Sequence, residues 1–359
     1  MPVTRRDVAK LAGTSPAVVS YVLNGGPRGV APETRERVLA AIEELGYRPN
    51  RIAASLRRNR TMTIGLVVPD NTNPYFAELA HAVEDAAFDA GYTLLLGNAG
   101  SDVKRETSYV RTFLDSRVDG LVLIPSGEVV ASAGELAESG TPWVVLDRLV
   151  DHVDGVAGQL VSDNRHGGRL ATEHLLWHGR TRIGCITGPG HVANFNERVL
   201  GWRDALGGNG RDATAAALRE TEISRFAARD AARDLLQATP GIDGVFAVTD
   251  EQALGVLRAL MELGLRCPDD VALVSFDGID ASSLTTPGLS TVGQSIRELA
   301  TSGVSVLLDA IERDDDAPAE RAADPARPLV FPVHLTPRGS CGCPDVFESA
   351  TRRDTGGRR

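Results

Sequence analysis

Thr4-Arg5-Arg6-Asp7-Val8-Ala9, then Gly13, then Ser15-Pro16-Ala17-Val18-Val19-Ser20-Tyr21-Val22-Leu23-Asn24: this stretch spells a helix, a tight turn and a second helix. Thr4 and Asp7 stand at capping-box spacing, Gly13 supplies a positive φ, and Ser15 followed by Pro16 is a strong helix start. On the second helix Val19, Val22 and Leu23 share one face, while Ala17, Tyr21 and Asn24 share another. The first face builds a core and the second is free to touch a partner. Pro32-Glu33-Thr34-Arg35-Glu36-Arg37 then opens a third helix, with Val38, Ile42 and Leu45 as its buried stripe and Gly46 as its stop. Three helices would close one small core.

Charge indicates the partner. Residues 1–60 carry 11 Lys and Arg against 5 Asp and Glu, a net of +6. Of the chain's 38 basic and 48 acidic residues, the remainder holds 27 against 43, a net of −16. A basic head on an acidic body favours nucleic acid, because neutralising phosphates releases counterions. A three-helix basic module also occurs as a protein-interaction domain, and arginine runs are often only solvated faces.

After the third helix comes Tyr47-Arg48-Pro49-Asn50-Arg51-Ile52-Ala53-Ala54-Ser55-Leu56-Arg57-Arg58, a short arginine-lined segment capped by Asn50 and too short for a stable helix alone. With this segment in place, the chain from Val3 to about Arg338 resembles the lactose-repressor (LacI/GalR) family of transcription regulators. The resemblance implies a helix-turn-helix DNA-binding domain over residues 1–48 and a hinge helix and linker over 49–61. It also implies a two-lobed effector-binding and dimerisation domain over 62–340. Residues 341–359 are left as a disordered tail.

Pro16, Ala17 and Tyr21 match the recognition-helix positions that touch base edges in the family, and Leu56 matches the leucine that wedges into the minor groove. Such a wedge kinks the duplex and is repaid by wider contact, so DNA shape becomes part of the readout. The implied DNA-binding set is Thr4, Ser15, Pro16, Ala17, Ser20, Tyr21, Asn24, Asn50, Arg51, Ala53 and Leu56. Pro16 and Ala17 bring no side-chain hydrogen bonders, which leaves Tyr21 as the main polar reader.

The body repeats one theme. Thr63–Val68, Gly120–Ile124, Trp143–Leu146, Arg182–Ile186, Gly244–Val248 and Val271–Phe276 are short apolar runs bounded by polar residues, Gly or Pro, and read as buried parallel strands. Helical stretches lie between them, at Phe76 to Ala90, Gly167 to His178 and Glu251 to Leu263. The fold class is therefore α/β, doubly wound. About 300 residues exceed one comfortable core of this type, so two lobes with a cleft are expected. The resemblance supplies two similar lobes joined by three crossings, like a periplasmic sugar-binding protein.

Ligands of open α/β sheets sit beyond the carboxyl ends of the strands, and polar residues recur there. Asn71-Thr72-Asn73-Pro74-Tyr75-Phe76, Asp147-Arg148, Asp163-Asn164, Thr249-Asp250 and Asp277-Gly278 all follow strands, and Arg198 lies early in a helix after Gly188-Pro189-Gly190. Carboxylates with an arginine and aromatics suit a polyhydroxylated ligand. Any single aspartate after a strand can instead be a helix cap. By resemblance, Tyr75, Phe76, Asp147, Asn194, Arg198 and Asp277 match effector positions, Asp250 stands next to a further one, and Asn73 is counted with them. Arg198 and Asp277 rank highest. Val192 stands where some members place a polar or cationic contact, and Ile223 falls near a position often filled by a stacking aromatic. Both departures weigh against a purine effector.

No catalytic constellation emerges: the 7 histidines are scattered, without zinc spacing, a Gly-x-Ser-x-Gly elbow or a phosphate loop. No metal and no cofactor is expected. Cys185 reads as a small buried hydrophobe, and the Cys341-Gly342-Cys343 pair as incidental, because no second pair completes a site. Nothing resembles a signal peptide or a membrane span, so a cytoplasmic location is expected. Arg313 to Arg327 reads as an acidic excursion before a strand at Leu329-Val330-Phe331. Without leucine heptads, a homodimer on a palindromic operator is expected. The partners are thus double-stranded DNA and a small molecule, most simply a carbohydrate. A pure carbohydrate-binding protein and a sugar-processing enzyme are the competing classes.

Overall fold

The computed structural model describes residues 3–24, 29–47, 60–127, 130–150, 155–210, 217–313 and 327–344. It divides into two compact units, Met1–Thr61 and Met62–Arg359.

The first unit holds α1 (Arg5–Leu11), α2 (Pro16–Asn24) and α3 (Pro32–Leu45). Asp7 accepts from both the backbone N–H of Thr4 at 2.8 Å and its hydroxyl at 2.6 Å, closing the start of α1. Gly13 turns the chain at φ +61°, and the Val18 N–H donates to Ser15 Oγ at 3.3 Å to cap α2. Gly46 ends α3 at φ +59°, and the Tyr47 N–H then reaches back to the Ile42 carbonyl at 3.0 Å. That bond returns the Tyr47 ring to a core of Val8, Ala9, Ala12, Val19, Val22, Val38 and Ala41. Tyr47, read from sequence as the first residue of the basic segment, is therefore the last residue of the three-helix core. Val38 is fully buried as expected, Ile42 and Leu45 are only partly buried, and Ala41 joins Val38 in the core. The hinge residues Asn50, Arg51, Ala53 and Leu56 lie outside the described residues, as does most of the acidic excursion after Arg313.

The second unit alternates strand and helix through β1 (Thr63–Val68), α4 (Pro74–Asp89), β2 (Thr93–Asn98), α5 (Val103–Asp115), β3 (Gly120–Leu123), α6 (Ala133–Ser139), β4 (Trp143–Leu146) and β5 (Val156–Ser162). It continues with α7 (Asn164–Trp177), β6 (Ile183–Thr187), α8 (Ala193–Gly208), β7 (Leu218–Glu220), α9 (Arg225–Ala238), β8 (Gly244–Ala247), α10 (Asp250–Glu262) and β9 (Ala272–Asp277). After a 3-10 turn at Asp280–Leu284 come β10 (Ser290–Gln294), α11 (Ile296–Glu312), β11 (Leu329–Phe331), β12 (Val333–Thr336) and a second 3-10 turn at Gly339–Cys341. One sheet runs β11-β5-β4-β3-β1-β2 and the other β12-β10-β9-β8-β6-β7. All pairings are parallel except β10 with β12. The central strands are buried along their whole length because helices cover both faces, which is why they read as unbroken apolar runs.

The chain passes between the sheets three times: after β5, after β10 and across Pro332 between β11 and β12. The third pass carries the chain only one residue, from Phe331 in one sheet to Val333 in the other. Such short ties allow the lobes to hinge without separating. The described structure runs on to Pro344, with Cys341 fully buried in the core of the second lobe, so the expected tail boundary at 341 falls too early. No helix among the described residues is long and apolar enough to cross a membrane.

Candidate functional site

The first candidate surface is the exposed side of α2. Ser15, Pro16 and Ala17 are exposed at its start, and Ser20 and Tyr21 are half-buried, while Val19 and Val22 face the core. The side chain of Asn24 lies outside the described residues. Thr4 is exposed at the start of α1, where its hydroxyl is engaged by Asp7. Polar and small side chains thus project from a short helix held by a fixed core, the arrangement that a recognition helix needs.

The second is a cleft of about 540 Å³, mouth included, between the two sheets of the second unit. Its walls come from segments that follow strands: Asp70, Asn73, Tyr75 and Phe76 after β1, Ser101 after β2, Asp147 and Arg148 after β4. From the other lobe come Asn194, Phe195 and Arg198 on α8, Ile223 after β7, Thr249 after β8 and Asp277 at the end of β9. Strand carboxyl ends therefore meet from both sides.

Arg198 is 2% exposed and anchors the second-lobe wall. Its Nε donates to Asn164 Oδ1 at 2.8 Å, and one terminal nitrogen donates to the Val248 carbonyl at 2.6 Å and to Asp277 Oδ1 at 3.2 Å. Its guanidinium carbon sits 3.6 Å from the centre of the Phe276 ring, a stacked cation–π contact. Two glycines make this seat possible. A Cβ on Gly168 would lie 2.1 Å from the Arg198 carbonyl, and one on Gly201 would lie 2.1 Å from the Arg165 carbonyl, so α7 and α8 touch backbone to backbone. Without that approach Asn164 could not reach the arginine.

Asp277 pairs with Arg198 and also accepts from Gln294 Nε2 at 3.0 Å. Burial pushes its carboxyl up to about 8 despite the attraction of Arg198, with repulsion from Asp250 and Asp147 adding to the rise. In the opposite wall Asp147 accepts from the Tyr75 hydroxyl at 2.6 Å, and burial together with that aspartate holds the phenol well above its ordinary range. Both aspartates have left-handed backbones, φ +68° at Asp147 and +124° at Asp277. Such conformations cost about 1–3 kcal/mol and persist where the surroundings over-determine them. Here they turn carboxylates at strand ends into the cleft.

The two walls already touch. Asn194 Nδ2 donates to the Asp147 carbonyl at 2.7 Å, and Gln294 Oε1, at a crossing, accepts from Tyr75 at 3.1 Å and from Ser162 at 2.7 Å. Arg148 crosses its own lobe to the Pro125 carbonyl at 2.6 Å, with its guanidinium carbon 5.7 Å from the centre of the Phe76 ring.

Of the effector residues expected from sequence, Asn73, Tyr75, Phe76, Asp147, Asn194, Arg198 and Asp277 line this cleft. Asp250 does not. It is fully buried beneath the cleft and accepts from the N–H groups of Gly278 and Ile279, both at 2.9 Å, and from the hydroxyls of Ser282 and Thr291 at 2.7 Å, with Ser275 as a fifth donor. Burial raises its carboxyl and these donors pull it back. Its work is to hold the Asp277-Gly278-Ile279 turn, so it positions Asp277 rather than meeting a ligand. Asp163, by contrast, is a helix cap, accepting from the His166 N–H at 3.0 Å. Asp70, Ser101 and Phe195 line the cleft and were not singled out in sequence. Phe195 had a signal: Tyr75-Phe76 opens α4 as Asn194-Phe195 opens α8. Val192 is buried at the start of α8 and outside the cleft lining, whereas Ile223 lines it.

Both units of the chain match known proteins. Residues 4–50 match the model for bacterial regulatory proteins of the lacI family, and residues 61–323 the model for periplasmic binding proteins and the sugar-binding domain of the LacI family. A ribose operon repressor of Halalkalibacterium halodurans is 38% identical over 312 residues, covering 86% of this chain and 91% of its own. A PurR transcriptional repressor of Aliivibrio salmonicida is 34% identical, covering 86% and 92%. The lac repressor dimer bound to operator and an anti-inducer superposes with a TM-score of 0.80 at 28% identity, over 95% of this chain and 99% of that one. With both regions matched and the relatives covered nearly end to end, the chain belongs to the LacI family of bacterial transcriptional regulators.

Proposed function

We propose that the chain is a sequence-specific DNA-binding repressor whose operator affinity is set by a sugar or sugar derivative held in the cleft. The observation that carries this reading is the pair of strand-end aspartates, Asp147 and Asp277, turned inward from the two lobes beside the buried Arg198. Hydroxyl groups donate to carboxylates and accept from a guanidinium, while Phe76 and Phe195 offer apolar faces to a sugar ring. The ribose operon repressor among the relatives supports the same ligand class. On the DNA side the roles fall to Thr4, Ser15, Pro16, Ala17, Ser20, Tyr21 and Asn24, and to Asn50, Arg51, Ala53 and Leu56 of the hinge. A homodimer reading a palindrome follows from a recognition helix that covers half a site.

Ligand contacts that differ between lobe settings shift the equilibrium between those settings, and linkage requires DNA and ligand to alter each other's affinity equally. Selection from a random duplex pool tests the DNA half. The wild type is expected to enrich one palindromic motif, and Tyr21→Ala to lose that preference while keeping weak, salt-sensitive binding to arbitrary DNA. An unchanged motif in the variant removes Tyr21 from the reading set, and no enrichment by the wild type removes the proposal. A thermal-shift panel of pentoses, hexoses and disaccharides tests the ligand half: at least one is expected to raise the melting temperature of the wild type but not of Asp277→Ala.

A further inference from the structure

His174 and His178 stand one turn apart at the carboxyl end of α7, and Cys341 and Cys343 lie against them from the last described turn of the chain. His174 Nε2 is 3.2 Å from Cys341 Sγ and 3.8 Å from Cys343 Sγ, and His178 Nε2 is 3.2 Å from Cys343 Sγ. All four donor atoms lie within 4.8 Å of one another. A tetrahedral zinc with Zn–S near 2.3 Å and Zn–N near 2.0–2.1 Å sets its donors roughly 3.3–3.8 Å apart. To match, the two 3.2 Å pairs would widen slightly and the widest separation, up to 4.8 Å, would close by about 1 Å.

We propose that His174, His178, Cys341 and Cys343 form a four-ligand site for a borderline-soft divalent cation, zinc above all, that staples the carboxyl-terminal segment to α7. Two imidazoles and two thiolates are a donor set that hard cations such as magnesium or calcium disfavour. Four protein donors leave no open position, so the site is structural and not catalytic. The backbone is built for it. Gly342, at φ +105°, reverses the chain between the two cysteines, so that both sulfurs face the same helix, and a Cβ there would sit 3.4 Å from His178 Nδ1. Cys341 is fully buried within the second-lobe core, which fixes one donor before any metal arrives.

The staple has a reach beyond its own corner. The same helix α7 begins at Asn164, whose side chain holds Arg198 in the cleft. A metal at one end of α7 would therefore steady the helix that orients the cleft arginine at the other. This gives lobe 2 a metal-dependent stability with no ligand in common with the cleft.

The test uses the full chain, purified under reducing conditions from zinc-supplemented cells. Metal analysis is expected to return one zinc per chain, removable by a chelator. Cobalt added to the stripped protein is expected to give the intense ligand-field bands of a tetrahedral centre, a thiolate-to-cobalt charge-transfer band and quenching of Trp177, which is exposed and stacked 5.7 Å from His174. Cys343→Ser and His178→Gln, at half-buried positions chosen so that the core survives, are expected to weaken cobalt binding by more than about 100-fold, since loss of a ligand's hydrogen-bonding partner alone costs 10–100-fold. Far-ultraviolet circular dichroism should stay at the wild-type level in both. A wild type that binds no zinc, a cobalt spectrum without charge transfer, or equal affinity in the folded variants would each overturn the site. So would a stoichiometric Cys341–Cys343 disulfide in metal-free protein taken from cells.

Discussion

In the first lobe the inward-facing carboxylate is Asp147, steadied by the Tyr75 phenol, by Asn194 reaching over from the opposite wall and by the Arg148 guanidinium 3.9 Å away. In the second it is Asp277, steadied by a buried guanidinium and by Gln294 from a crossing strand. The two residues hold equivalent places, each after the third strand from the matching edge of its sheet, and both carry a left-handed backbone. Their support differs in closeness and packing. Lobe 2 uses backbone contact between α7 and α8 to seat Arg198, whereas tight glycines of lobe 1, among them Gly65, Gly97 and Gly303, meet the side chains of Phe113, Tyr109 and Leu146. Lobe 2 thus holds the closer ion pair, 3.2 Å against 3.9 Å in lobe 1, in a seat packed backbone to backbone.

That contrast can be broken most forcefully at Arg198. Above pH 8, where Asp277 is ionised, Arg198→Ala leaves that carboxylate buried and unpaired and strips partners from Asn164 and Val248, so urea unfolding is expected to show a loss of about 3–5 kcal/mol. Arg198→Lys should recover little, because an ammonium cannot both stack on Phe276 and fork to its acceptors. If the alanine variant loses less than 1 kcal/mol, lobe 2 has no electrostatic anchor.

Next comes Asp250→Asn, which weakens five hydrogen bonds to the turn that carries Asp277 and is expected to cost about 1.5–3 kcal/mol. Calorimetry should also show weaker ligand binding although Asp250 touches no part of the cleft. Stability lost with ligand affinity intact would mean that the turn does not govern Asp277.

A third test sharpens the electrostatic difference between the lobes. Because the folded pKa of Asp277 is raised to about 8 from an ordinary 3.8, the native state holds a proton that the unfolded chain has released. Its contribution is fully present below pH 3.8 and is lost as pH rises toward 8, with a slope of at most about 1.4 kcal/mol per pH unit. Urea melts at pH 5.5 and pH 8 should therefore show a smaller difference in Asp277→Asn than in the wild type. Identical slopes would place the proton elsewhere. The smallest effect is expected in lobe 1, where Tyr75→Phe removes the hydrogen bonds to Asp147 and Gln294 at about 0.5–1.5 kcal/mol.

The sequence revealed what short-range rules govern. Thr4 with Asp7, Gly13 and Ser15 with Pro16 each act within a few residues, and the structure uses each of them where the spacing puts it. Buried strands were visible as apolar runs for the same reason. Asp250 was misjudged because an aspartate after a strand looks alike whether it faces a ligand or ties a turn; only the location of Ser275, Ser282 and Thr291 distinguishes them. The histidine–cysteine cluster was illegible because its halves lie more than 160 residues apart in the chain and meet only when the last turn packs on α7. Tyr47 shows the same limit on a small scale: its arginine neighbours suggested a solvated segment, and one backbone bond to Ile42 turned it inward.

The central claim is tested most directly by one titration: fluorescence anisotropy of the intact protein on a labelled palindrome from its own upstream region, with and without the sugar identified by thermal shift. The account predicts selective binding over random duplex, a steep fall with salt, and a ligand-induced change in Kd of roughly 5–150-fold. An affinity no better than for random DNA, or one indifferent to every ligand that stabilises the cleft, would contradict it.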